Sequence, residues 1–301
     1  MHSNEAVVKR FTCYERGYRM TTPVLKTSTA ASSLPDLDAA DTVTPEQAQA
    51  YRRDGHVLLR GVASPAEVAA YRPEIVRAAD QYNTETRAMA DRDTYAKAFL
   101  QIMNLWAQDE AVRRFTLAKR FGKIASDLMG VDGVRLYHDQ ALFKEPGGGP
   151  TPWHQDQYYW PLDTNDTITM WMPLVDVPTS MGALTFASGS QREGFLGHLK
   201  ISDESEEHFD DLVRGRGFPL VVDAMAAGDA TFHSGWILHN APGNPTDRVR
   251  EVMTIIYIAD GAHVTVPDNP NRERDMSRWM PGLKPGDLAA SELNPLVYSR
   301  K

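Results

Sequence analysis

Val134-Arg135-Leu136-Tyr137-His138-Asp139-Gln140-Ala141-Leu142-Phe143 opens the part of the chain whose reading decides the fold. It is the first of a series of short strand-like runs, continued at 153–159, 167–174, 183–187, 229–232 and 252–259 and separated by Gly, Pro, Asp and Asn. Many short strands at turn-punctuated intervals predict a sandwich or barrel, and a double-sheet jelly roll is the member of that set that hosts an open metal site in its mouth.

The chemistry sits in three of these runs. Trp153-His154-Gln155-Asp156 is followed far downstream by Leu238-His239-Asn240-Ala241-Pro242-Gly243-Asn244, and Arg250 comes eleven residues after His239. Two imidazoles and one carboxylate on one face of a metal, with the other positions open, make the facial triad of non-haem Fe(II) oxygenases. Residues two apart on a strand point to the same side, so His154 and Asp156 can grip one ion while Gln155 faces away. Arg250 then falls on the next strand of a hairpin, where its fork pairs with a carboxylate that need not belong to the protein. His233, six residues before His239, shares its strand face only if the strand is unbroken, and Gly235 allows a bulge there.

This ordered set resembles the phytanoyl-CoA dioxygenase family of Fe(II)/2-oxoglutarate-dependent oxygenases, which share an H-x-D strand, a distal histidine and an arginine eleven residues beyond it. The likeness extends to Leu142-Phe143-Lys144-Glu145-Pro146, Trp171-Met172-Pro173-Leu174 and Gly182-Ala183-Leu184-Thr185-Phe186-Ala187-Ser188-Gly189-Ser190, and covers roughly residues 44 to 260. It implies a mainly β fold with flanking α: a cupin-like double-stranded β-helix, or jelly roll, behind N-terminal helices. It also implies Fe(II) on His154, Asp156 and His239, 2-oxoglutarate with its distal carboxylate on Arg250, dioxygen as the oxidant, and release of succinate and carbon dioxide. The arginine spacing and the trailing Asn244 select His239 over His233, which is left to support or packing, and Arg250 over Arg248. Trp171 matches a tryptophan that lines the cosubstrate pocket, with core packing as an equal alternative. His138 falls where the family places a polar residue near the cosubstrate, and Gln140 shares its strand face. Related halogenases have a small residue in place of the Asp156 carboxylate, so hydroxylation, desaturation, epoxidation or cyclisation is expected here rather than chlorination.

Composition narrows the rest. The 301 residues, 42% hydrophobic and 24% charged, are ordinary for a globular chain of one large domain. A net charge of −8 argues against a nucleic-acid surface. The single cysteine, Cys13, excludes an internal disulfide or a thiolate cluster and fits a reducing, cytoplasmic setting that keeps iron ferrous. No apolar run is long enough to span a membrane, and the N-terminus lacks the apolar core of a signal peptide. Residues 1–42 read as a disordered leader, with Met1 and Met20 both open as the natural start. Residues 43–301 read as a single oxygenase domain, with helical support over 43–130, the jelly-roll core over 131–262 and a tail over 263–301.

Helices are expected to start at Thr44-Pro45-Glu46-Gln47 and Ser64-Pro65-Ala66-Glu67, flanking a short strand within 55–62. Residues 95–129 predict one or two amphipathic helices, with Gln101 and Asn104 as substrate contacts or as a solvated face. Tyr158, Tyr159 and Trp160, just past the ligand strand, offer an apolar substrate wall or core, with Tyr158 and Trp160 as the candidate contacts. The stretch 191–218 reads as an acidic surface excursion, and the tail from Pro267 as a cover over the site entrance that buries Trp279 and Met280. The expected substrate is a small, partly apolar metabolite, since no basic cluster suggests a coenzyme A phosphate site. Two rivals stay open: a Zn(II) hydrolase using the same three ligands with metal-bound water, and a non-catalytic jelly-roll protein that binds a small ligand.

Overall fold

A computed structural model describes residues 33–39 and 42–301. Both helix starts form as capping boxes: the Thr44 hydroxyl accepts the Gln47 N–H while the Gln47 amide oxygen accepts the Thr44 N–H, and Ser64 and Glu67 repeat the exchange. They open helices α1 (Pro45–Asp54) and α2 (Pro65–Tyr82), with strand β1 (His56–Leu59) between them. The amphipathic segment expected over 95–129 divides into α3 (Thr94–Ala98), β2 (Leu100–Met103), α4 (Glu110–Thr116) and α5 (Lys119–Met129). Leu100–Met103 is extended because it docks on the edge of the next strand, and pairing there outweighs local helix preference. Asn104 then turns the chain in the left-handed region at φ 53, which asparagine tolerates better than most side chains.

The remaining strands are β3 (Gly133–Phe143), β4 (Thr151–His154), β5 (Thr167–Pro173), β6 (Thr185–Ala187), β7 (Leu220–Val222), β8 (Ala230–Ser234), β9 (His239–Ala241), β10 (Val252–Ala259) and β11 (Leu296–Ser299). They form two sheets. One has seven strands in the order β1-β8-β5-β10-β3-β11, with β2 also on β3; the other has four, in the order β4-β9-β6-β7. Every pairing is antiparallel. The expected double-stranded β-helix is therefore corrected: the described residues build a mixed α/β fold on two separate sheets, and no strand pairing closes them into a jelly roll or barrel. Strand count and turn spacing carry no information on which edges meet, and the helices contribute a full layer rather than flanking decoration.

The large sheet explains how this sequence places polar groups inside. On one face Ile168, Met170, Phe232, Met253 and Ile255 pack with α2, α4 and α5 in the main core. Buried side chains such as Ile124 and Leu128 of α5 are each worth ~1.5–3 kcal/mol there. The alternate residues Thr169, Trp171, His233, Thr254 and Ile256 project to the opposite face, where they line an internal cavity rather than solvent. Tyr137 is the extra residue of a bulge, since Ile256 faces His138 and Tyr257 faces Leu136. That bulge keeps His138 and Gln140 on the cavity side while Asp139 turns toward the helices. There Asp139 accepts the Leu105 and Trp106 N–H groups and the Thr116 hydroxyl; burial pushes its carboxyl up to about 7 against the pull of those donors.

Of the leader expected over 1–42, residues 1–32, 40 and 41 lie outside the described residues. In the described part Leu37 is 2% exposed in the main core, and the Tyr71 hydroxyl donates to the Pro35 carbonyl. The 191–218 excursion contains α6 (Asp203–Arg216), which is more than a solvated face. Its Phe209 and Val213 pack against Trp153 and Leu238, and Glu206 accepts the Trp153 N–H at 2.7 Å, so α6 braces the strand that carries His154. The tail supplies α7 (Pro270–Trp279), whose Trp279 is buried against the cavity, with Met280 buried just after it. No helix among the described residues is long and apolar enough to cross a membrane.

Candidate active site

His154 is the last residue of β4 and lies directly opposite His239, the first residue of β9. Each imidazole donates its Nδ1 proton to the carbonyl two residues earlier, His154 to Pro152 at 2.7 Å and His239 to Ile237 at 3.1 Å. A carbonyl can only accept, so Nδ1 carries the proton of each neutral ring and the lone pair that binds metal is the one on Nε2. Asp156 is not on the strand with His154, as the H-x-D pattern predicts; it opens a 3-10 turn over Asp156–Tyr159. The turn still delivers Asp156 Oδ1 to 3.5 Å from His154 Nε2 and 3.9 Å from His239 Nε2. One ligand atom from each of the three residues falls within 4.8 Å of the others, a group able to hold a metal ion. Burial first, and then the neighbouring His154, hold the His239 pKa well below the ordinary value and keep the ring neutral.

Arg250 comes from the other sheet. The expected hairpin with the His239 strand does not form, because β9 pairs within the small sheet and Arg250 leads into β10 of the large one, bridged to Lys144. The guanidinium is 2% exposed, donates to the Gly182 carbonyl, lies 5.2 Å from the Trp171 ring centre, and has no carboxylate partner among the described residues. Its Nε is buried without a hydrogen-bond partner. Burial lowers its pKa to about 9, which leaves it charged at neutral pH. A buried unpaired cation is costly, and the cavity it lines is where an anion would relieve that cost. Arg248, by contrast, is exposed.

Lys144, fully buried behind Arg250, donates to the Gly149 carbonyl and does not line the cavity. Burial, with Arg250 adding to it, lowers the Lys144 amine from 10.5 to about 6. The unfolded chain therefore holds a proton that the native chain has lost across that window, and native stability rises as pH rises through it. In Lys144→Met the stability gained between pH 7 and pH 9, followed by urea unfolding, should be smaller than in the unaltered protein. Equal slopes would show that the amine keeps its ordinary affinity for a proton.

A cavity of about 540 Å³ joins these groups. His154, Asp156, His239, Arg250, Trp171, His138 and Gln140 all line it. So do Gln101 and Trp160 of the four expected substrate contacts. Gln101 donates to the Gln140 amide oxygen and accepts from the Tyr95 hydroxyl. Asn104 is elsewhere, buried with its amide oxygen accepting the Trp106 indole N–H. Tyr158 is also outside the cavity; its hydroxyl and carbonyl accept from Asn271 and Arg272, so it latches α7 down while the adjacent Tyr159 faces in. Of the expected wall, Tyr159 and Trp160 line the cavity and Tyr158 does not, since a 3-10 turn rotates each side chain by about a third of a circle. Thr169, Thr254, His233 and Trp279 also line it. For the first three, the signal available in the sequence is alternation along their strands, which sets them opposite the apolar residues of the main core. His138 is held between the Tyr137 and Trp279 rings, 5.1 Å from each, and burial lowers it to about 4.

A model of the phytanoyl-CoA dioxygenase (PhyH) family matches residues 51–252. The chain belongs to that family. Among solved structures it is similar to the non-haem alpha-ketoglutarate-dependent carbocyclase SnoK from nogalamycin biosynthesis, at 26% identity and TM-score 0.71 over 85% of this chain and 97% of that one. It is also similar to the epimerase SnoN in complex with Fe3+, alpha-ketoglutarate and nogalamycin RO, at 27% identity and TM-score 0.69 over 84% of this chain and 98% of that one. The ectoine dioxygenase of Bordetella parapertussis is 26% identical over 239 residues, covering 72% of this chain and 76% of the relative. This PhyH-family member is an Fe(II)- and 2-oxoglutarate-dependent oxygenase of a small molecule. Its own cavity fits the pair: two imidazoles with one carboxylate suit Fe(II), and a buried guanidinium with no carboxylate partner among the described residues suits a dicarboxylate.

Proposed function

We propose that His154, Asp156 and His239 hold Fe(II), that Arg250 receives the distal carboxylate of 2-oxoglutarate, and that the enzyme oxidises a small, partly apolar metabolite lying between Gln101, Trp160 and α7. The observation that carries this is the convergence on one cavity of a two-imidazole, one-carboxylate donor set and an unpaired buried guanidinium. The hydrolytic chemistry of a zinc site needs only the first. When bound, Fe(II) with 2-oxoglutarate and dioxygen supplies the oxidising power, with succinate and carbon dioxide as by-products.

The chain's residues bind, orient and exclude water. Arg250, stacked near Trp171, fixes the cosubstrate's far end. His138 and Gln140 line its flank, and the Gln101–Gln140 hydrogen bond ties that wall to β2. Trp279 and the Tyr158 latch hold α7 over the mouth, which keeps water from the reacting centre. Trp160, Tyr159 and Ile256 give the substrate an apolar surface in a cavity of drug-like size. A natural-product intermediate is favoured by the likeness to SnoK and SnoN, both from nogalamycin biosynthesis. Residues 43–301 act as one oxygenase domain, and the single cysteine supports a reducing, cytoplasmic location.

Anaerobic addition of Fe(II) and 2-oxoglutarate should give a weak visible charge-transfer band, and admitting oxygen without substrate should release succinate slowly. Stoichiometric zinc with neither the band nor 2-oxoglutarate binding would replace this reading with the hydrolase. Metal-independent binding of a metabolite with no succinate under any condition would replace it with the binding protein. With substrate, a mass gain of one oxygen separates hydroxylation or epoxidation from the loss of two hydrogens in desaturation or ring closure.

A further inference from the structure

The two oxygens of Asp156 face different company. Oδ1 is the atom near His154 and His239, at 3.5 and 3.9 Å from their Nε2 atoms. Oδ2 faces the large sheet, where the Thr169 hydroxyl donates to it at 3.1 Å and His233 Nε2 stands 3.6 Å away. Thr169 and His233 are direct partners across β5 and β8, so both side chains leave the same face of the sheet side by side. His233 is 1% exposed, and neither of its ring nitrogens has a hydrogen-bond partner. A buried imidazole needs an acceptor for its N–H, and Asp156 is the carboxylate within reach. The 3.6 Å separation is slightly longer than a formed hydrogen bond, and a small rotation of the ring or the carboxylate closes it.

We propose that Thr169 and His233 form a two-point clamp on Asp156 Oδ2 that commits Oδ1 alone to the metal. This rests on the reading of Asp156 as an iron ligand. The carboxylate needs such a clamp because its terminal torsion is broad and two-fold, so an unheld group can exchange its oxygens or offer both at once. Offering both would fill a coordination position that the cosubstrate or dioxygen needs. The 3-10 turn carrying Asp156 follows β4 of the small sheet, whereas the clamp stands on the large one, so the contact also sets the distance between the sheets at the metal. His233 is a positioning residue: its Nε2 stands 3.6 Å from Oδ2, and its ring also packs on Phe186, 5.2 Å between ring centres, which in turn stacks on His56.

The test uses Co(II) alone, titrated anaerobically into the metal-free full-length protein and into Thr169→Val, His233→Leu and His233→Gln, with the cobalt visible spectrum as the second readout. Partners that orient a ligand are worth ~10–100-fold in metal affinity, so Thr169→Val and His233→Leu should each weaken Co(II) binding by that order and alter the spectrum. The double variant should lose less than the product of the two, because both act through one oxygen. His233→Gln, whose amide can still donate, should recover most of the affinity. If His233→Leu fails to fold, the smaller His233→Ala takes its place as the variant without a donor. Co(II) affinity and spectrum unchanged in Thr169→Val and in whichever His233 variant lacks a donor would overturn the clamp while leaving the triad intact. A loss of 2-oxoglutarate affinity with Co(II) binding unaltered would overturn it in favour of a cosubstrate contact. An unaltered protein that binds no Co(II) would remove the triad reading itself, and the clamp with it.

Discussion

Asp156→Ala is expected to abolish succinate release and to lower Fe(II) affinity by more than ~100-fold, beyond the range that loss of a mere orienting partner produces. The carboxylate is the one anionic donor of the group, and its Oδ1 faces two imidazoles that bring no negative charge to balance the ion. The loss should be local. The turn over Asp156–Tyr159 is held by its neighbours: Gln155 donates to the Gly194 and Trp236 carbonyls, the Gln157 N–H donates to the Gly235 carbonyl, and the Gln157 side chain pairs with Thr167 and the Thr164 carbonyl. The metal-free variant should therefore unfold at a denaturant concentration close to that of the metal-free unaltered protein. Asp156→Asn keeps the shape and a group that can still meet Thr169, so comparing the two variants separates charge from placement. Equilibrium dialysis against Fe(II) under anaerobic conditions decides the matter. Iron retained within tenfold by Asp156→Ala, with succinate still formed, would mean that another residue completes the site.

What could be read from the chain before its fold was known was chemistry rather than geometry. His154, Asp156, His239 and Arg250 stand in one cavity as a set whose spacing is specific enough to find. Yet each assumption about how they get there needed revision. Period-two alternation placed Asp156 on the His154 strand, but the strand stops at His154 and a tighter turn brings the carboxylate round. The same turn leaves Tyr159 on the cavity and takes Tyr158 out of it. A hairpin joining His239 to Arg250 was the simplest connection over eleven residues, whereas the chain crosses between sheets there, which is why the guanidinium faces the triad from the opposite side. The jelly-roll expectation failed for a related reason, since local runs report extended backbone and not the edges at which it pairs. Leu100–Met103 shows the converse: its residues favour a helix, and the free edge of β3 makes it a strand. Asn104 then follows the turn into the protein and away from the cavity. The arginine spacing and the trailing Asn244 select His239 as the distal ligand and leave His233 to support or packing. Only its orphaned nitrogens, beside an oxygen that the other two histidines do not face, give it a task.

Arg250→Lys should weaken 2-oxoglutarate binding by ~1–3 kcal/mol, roughly fivefold to 150-fold, the worth of hydrogen bonds to a charged group once the fork is lost. Arg248→Lys, at an exposed position, should leave it unchanged. The structure adds a second reason for the loss. Lys144, bridged to Arg250 in the same buried region, has its amine pulled down to about 6 by burial, and a lysine at position 250 would meet the same desolvation. Arginine starts from a much higher value and, lowered to about 9, remains charged at neutral pH. A buried lysine there would be largely neutral at pH 8 and would offer the cosubstrate neither a fork nor a charge. The ratio of 2-oxoglutarate dissociation constants between Arg250→Lys and the unaltered protein should therefore shrink as pH falls from 8 toward 6, because protonation restores the cation. Both constants can be measured by anaerobic titration of the metal-loaded proteins at each pH. A ratio that is large but independent of pH would assign the whole loss to the missing fork. Full affinity in Arg250→Lys with loss in Arg248→Lys would move the carboxylate site to the other arginine, against the burial that separates them.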